Sequence, residues 1–110
     1  MRRKKLLILE TLEEVASLLA VETKTVFLFT ADWCGDCRFL KPYLPEIEAT
    51  FPEMTFVQLD RDDFTPLAQK WDIFGIPSFV IIENGQEIGR FVDKNRKTKN
   101  QIIEFLEGLK

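Results

Sequence analysis

The sequence predicts an α/β fold, a mixed central β-sheet flanked by helices on both faces. Three observations carry that expectation. Apolar runs of strand character alternate with segments of helical periodicity along most of the chain, the pattern of strands connected through crossover helices. The run TVFLFT (residues 25 to 30) has no polar interior, as a central strand covered on both faces requires. Near the end, SFVIIENGQEIGRF joins two strand-like runs around Asn84 and Gly85, a pair that tolerates a tight type I′ turn. The sheet is therefore expected to be mostly parallel and to close with one antiparallel hairpin. At 110 residues the chain suits one domain over 1–110, large enough to bury a core without disulfide staples.

Each element has a local reason. KKLLIL (4 to 9) reads as a short buried strand, and Thr11 followed by Glu14 has the spacing of a capping box opening a helix to about Ala20. After TVFLFT, the spacing of Phe39, Leu40, Tyr43, Leu44 and Ile47 predicts a helix from near Cys34 to about Thr50. Pro42 is expected to kink it, because proline lacks the N–H that the helix needs. MTFVQLD (54 to 60) is the next strand, with Phe56, Gln58 and Asp60 on one face and Val57 and Leu59 on the other. Thr65 and Pro66 supply a cap and a first-turn proline for a short helix to Trp71. After the hairpin, Thr98 and Gln101 repeat the capping-box spacing for a last helix that buries Ile102, Phe105, Leu106 and Leu109.

Composition narrows the function classes. A net charge of -3 gives no electrostatic reason to expect nucleic acid. The basic start MRRKK is followed by only four apolar residues before Glu10, too few for a signal-peptide core or a membrane span, so the expected location is cytoplasmic, with no membrane partner. In a reducing compartment the two cysteines, Cys34 and Cys37, are not expected to form a lasting staple. The loop between them is tiny, so a bridge there would constrain little of the unfolded chain. If they pair, the pairing serves chemistry.

The position of the pair favours that chemistry. Functional groups of open α/β sheets gather beyond the carboxyl ends of the strands, and Cys34 stands there, opening a helix whose free N–H groups and dipole favour an anion. The dipole contributes roughly 0.3 to 1 kcal/mol, less than one pKa unit, and hydrogen bonds from the first turn and from the Cys37 thiol can add roughly 1.5 to 3 kcal/mol each. The larger advantage is intramolecular. Cys37 lies one helical turn after Cys34, at high effective concentration for resolving whatever Cys34 captures. Arg38 and Lys41 would favour a thiolate, while Asp32 and Asp36 oppose it; if the aspartates win, the couple is more reducing.

Two other readings of the pair stay open on the residues alone: a metal site completed by carboxylates or a second chain, since the sequence has no histidine, and an inert buried pair. Neither a metal nor a cofactor is expected. Trp33 beside Cys34 suits either a core or a site role. Pro77, in FGIPSF, reads by itself as a trans turn proline, and DRDDF (60 to 64) as a solvated loop from which Asp60 alone could approach the site.

The whole set of motifs resembles the thioredoxin family along nearly the entire chain. ADWCGDC, Pro42 five residues after the second cysteine, GIPS before a strand and NG in the hairpin stand in the family's order. The resemblance implies a thioredoxin fold and a thiol-disulfide oxidoreductase acting as a protein-disulfide reductase. It implies that Cys34 attacks and Cys37 resolves. Trp33, Gly35, Asp36, Ile76 and Pro77 would then bind substrate, with Pro77 cis and the Ile76 backbone pairing with it. Expected partners are disulfide-containing proteins or small disulfides and an electron donor of the thioredoxin reductase type, with the chain a monomer. A narrower reductase of small disulfides or of one dedicated partner, and a redox-inactive binding module of the same fold, are the alternatives.

The chain departs from the family pattern at four places. Asp36 stands where proline is usual, similar to a Trp-Cys-x-Asp-Cys subgroup. Leu28 takes the position of the family's buried aspartate and Gln58 that of its partner lysine, leaving Asp36, Asp60 or solvent to take the Cys37 proton. The loop VDKNRKTK (92 to 99) looks longer than its counterpart and lacks a glycine.

Overall fold

The structure, a computed structural model, describes residues 6–110. The basic start and the first two positions of the expected opening strand lie outside the described residues. The strands are β1 (Leu7–Ile8), β2 (Lys24–Thr30), β3 (Thr55–Asp60), β4 (Ser78–Glu83) and β5 (Gln86–Phe91). The helices are α1 (Leu12–Leu19), α2 (Gly35–Leu40), α3 (Leu44–Thr50), α4 (Thr65–Lys70) and α5 (Lys99–Glu107). They alternate as expected from the sequence, and the sheet order is β1-β3-β2-β4-β5.

The sheet is mixed rather than mostly parallel. β1, β3 and β2 run parallel, whereas β4 is antiparallel to both β2 and β5. β4 starts at the end of the sheet where β2 and β3 finish, with Ser78 opposite Phe29. That reversal brings the segment before β4 to the carboxyl end of β2, where Cys34 stands.

Both faces of the sheet are covered, by different helices. Phe27, Phe29, Val57, Leu59 and Val80 point to the side closed by α1 and α4, where Val15, Ala68 and Trp71 meet them. The Trp71 ring stands edge-on to Phe27 and Phe29, with centroids 5.4 and 5.9 Å apart. Val26, Leu28, Phe56, Phe79 and Ile81 point to the other side, against Leu40, Ile47, Phe51, Ile102 and Leu106. Leu28 is part of that apolar layer, and its cross-strand neighbours are Gln58 and Phe79. Asn84 and Gly85 carry φ of 53° and 81°, and the hairpin closes directly from Glu83 to Gln86, as a type I′ turn demands.

Local expectations needed correction at several points. β1 is not a buried strand: it is an edge strand of two residues whose side chains Leu7 and Ile8 are exposed, and Leu9 just after it is the residue that enters the core. The helix expected from Cys34 to Thr50 is cut in two by a 3₁₀ turn at Lys41–Tyr43, because Pro42 and Pro45 both lack the N–H that would continue the ladder. Phe64, not Thr65, precedes α4, and the Thr65 hydroxyl donates back to the Asp62 and Arg61 carbonyls. In α5 Ile102 and Leu106 are buried, while Phe105 and Leu109 are only half-buried. The capping boxes at Thr11/Glu14 and Thr98/Gln101 form as read.

Candidate active site

The site grows out of the junction between β2 and α2. Cys34 has extended backbone angles and occupies the N-cap of α2, with its Sγ accepting the N–H of Cys37 at 3.1 Å. The sulfur thus takes the place that a Ser or Asp oxygen usually fills at a helix start. Its thiol reaches the carbonyl of Ile76 at 3.7 Å, and Ala31, Cys34, Cys37 and Ile76 pack as one small cluster. Ile76–Pro77 is a cis peptide, and the Ser78 hydroxyl donates to the Gly75 carbonyl just before it. Cys34, Cys37 and the Ile76–Pro77 peptide thus come together at one end of the sheet.

Both cysteines are free thiols set back from the surface, Cys34 being 6 % and Cys37 7 % exposed. The surface around them mixes apolar and charged side chains. Trp33 and Phe74 are largely exposed, Ile76 is half-buried, and Gly35 is at the surface. The Trp33 indole donates to Asp62 at 2.7 Å, and the Arg61 guanidinium lies 5.6 Å from its ring centre. The acidic turn after β3 is therefore not only a solvated loop: it orients the tryptophan. Asp60, by contrast, uses its carboxylate to accept the N–H groups of Asp62 and Asp63, stabilising that turn.

The setting of Cys37 opposes its ionisation. Burial pushes the Cys37 thiol up to about 12, helped by its hydrogen bond to Cys34 and by the negative charges of Cys34 and Asp36, against a backbone hydrogen bond at Ala31. Beside Cys37 lies a cavity of about 300 Å³ lined by Thr30, Asp32, Arg38, Lys41, Leu44 and Gln58 among others. Arg38 donates to the Asp32 carbonyl at 2.7 Å. Asp36 accepts from Arg96 at 2.9 Å, a contact across 60 residues that no sequence spacing announces. Among the described residues no cluster of three His, Cys, Asp or Glu side chains is arranged to hold a metal ion.

Comparison with known proteins agrees with this geometry. The family model described as thioredoxin matches residues 8–108. A thioredoxin H-type 1 of Nicotiana tabacum is 36 % identical over 85 residues, 76 % of this chain and 68 % of the relative. A mitochondrial thioredoxin-2 of Schizosaccharomyces pombe is 31 % identical over 94 residues, 86 % of this chain and 71 % of the relative. In three dimensions the chain superposes on a thioredoxin from Trypanosoma brucei brucei with a TM-score of 0.87, covering 98 % of this chain and 93 % of the other; at 23 % identity that likeness speaks for the fold.

Proposed function

The chain belongs to the thioredoxin family and is a thiol-disulfide oxidoreductase, and from that premise we propose that it reduces disulfides by attack from Cys34 and resolution by Cys37. The observation that carries this assignment of roles is the asymmetry of the pair. Cys34 caps the helix, with its sulfur accepting the Cys37 N–H and its thiol reaching the Ile76 carbonyl, whereas Cys37 follows one turn along the helix with burial opposing loss of its proton.

In the proposed reaction the Cys34 sulfur attacks one sulfur of the substrate disulfide, whose S–S bond breaks as a mixed disulfide forms and one substrate thiol leaves. Capture by Cys34 removes the negative charge and the hydrogen-bond acceptor that help keep Cys37 protonated. Burial and Asp36 still oppose ionisation, so the proton leaves as Cys37 attacks, with the cavity of Asp32, Lys41 and Gln58 as its route. The second substrate thiol departs, a Cys34–Cys37 disulfide remains, and two electrons from a donor restore the dithiol. Leu28 gives this route no carboxylate from beneath, because it belongs to the apolar layer under α2.

Substrates are disulfide-bearing proteins or small disulfides, bound over Trp33, Gly35, Asp36, Ile76 and Pro77, and the donor is an enzyme of the thioredoxin reductase type. We read the protein as a cytoplasmic monomer; the mitochondrial name of one relative makes targeting the point to check by cell fractionation. The assignment is tested with Cys37→Ser. Mixed disulfides should accumulate on Cys34, visible as mass adducts lost on reduction, and Cys34→Ser should form none. Absence of any adduct, even with small disulfide reagents, would leave a redox-inactive module of the same fold. Acceptance of NADPH electrons through a thioredoxin reductase distinguishes a general carrier from a specialist reductase.

A further inference from the structure

The loop between β5 and α5 is built from charges. Lys97 is 1 % exposed, and its ammonium donates to the Asp93 carboxylate at 2.9 Å and to the Asn95 carbonyl at 3.1 Å, beneath the Phe91 ring. The same carboxylate accepts the Asn95 N–H at 2.9 Å, so the turn is closed on itself. Its backbone lies directly on Gly75: a Cβ there would overlap the Asp93 carbonyl oxygen and sit 2.6 Å from its carbon. From this braced turn Arg96 reaches α2, pairing with Asp36 at 2.9 Å and stacking 4.3 Å from the centre of Phe39, one turn further along the helix.

Asp36 stands in the first turn of α2, between the two cysteines. A bare carboxylate there disfavours negative charge on a neighbouring sulfur, and that charge exists only in the reduced state. We propose that Arg96 is a positioning residue for the Cys34–Cys37 couple, acting through Asp36: it holds the carboxylate on the Phe39 side of α2 and offsets its charge, keeping the couple less reducing than Asp36 alone would make it. The remaining charges near Cys37, Asp32, Arg38 and Lys41, line the cavity beside it, and Arg38 donates to the Asp32 carbonyl.

This inference rests on the Cys34–Cys37 couple of the proposed function. The experiment equilibrates the protein with dithiothreitol at pH 9, where thiols ionise in quantity. The protein dithiol gives two electrons and two protons to oxidised dithiothreitol, yielding the protein disulfide and the reduced reagent. Arg96→Gln should shift that equilibrium about threefold toward oxidised protein, which is about 15 mV at about 30 mV per tenfold. Arg96→Lys should stay close to the parent, and Arg96→Gln in an Asp36→Asn background should change little. A constant unmoved by Arg96→Gln, an equal shift with Asp36 removed, or a Lys variant that behaves like Gln would each overturn the proposal. If the parent protein never equilibrates with the reagent, the couple itself fails, a result distinct from all of these.

Discussion

The strongest quantitative consequence of the site concerns alkaline pH. Burial holds the Cys37 thiol at about 12, against 9.0 for an ordinary one, so the folded reduced chain keeps a proton that the unfolded chain gives up. Below pH 9 the thiol is protonated in both states and its contribution to stability is complete. Above that, the unfolded state ionises first, and the contribution falls with rising pH until it is lost near pH 12. One pKa unit corresponds to roughly 1 kcal/mol, so about 1 kcal/mol should be gone by pH 10. Urea unfolding of the reduced protein, kept in excess reductant from about pH 8 to 10.5, measures it against Cys37→Ser. The parent should lose stability faster than the variant by about that amount. Parallel curves would mean that Cys37 ionises equally in the folded and unfolded chain, and the account of its buried, proton-retaining role would be wrong.

Two further changes probe the surroundings. Gly75→Ala drives a methyl group into the Asp93–Lys94 backbone and should destabilise the protein by roughly 1 to 3 kcal/mol in thermal or urea unfolding, with a variant as stable as the parent refuting the close approach. Asp62→Ala frees the exposed Trp33 indole; stability should change by less than about 1 kcal/mol, while KM for a protein disulfide rises about twofold to tenfold and turnover of a small aromatic disulfide stays unchanged.

How far the sequence reaches depends on the range of the interaction concerned. Helix starts at Thr11 and Thr98 were legible because a capping box closes within three residues, and the hairpin because Asn84 and Gly85 alone supply both positive φ angles. Pro42 announced an interruption, but Pro45 was needed to turn a kink into a break. The cysteine pair was legible for the same reason, since a helix start and a one-turn separation are local properties. β1 misled because a run of four apolar residues does not say which strand lies at the edge of the sheet.

By itself the sequence determined the alternation of strands and helices, the dithiol at a helix start and the family to which the chain belongs. Tertiary structure decided what surrounds the sulfurs. The antiparallel run of β4 beside β2 sets Ile76, just before it, against Cys34, 42 residues earlier in the chain. Folding alone brings Asp62 to Trp33 and Arg96 to Asp36, because a charge carries no mark of its distant partner until the backbone closes the space between them.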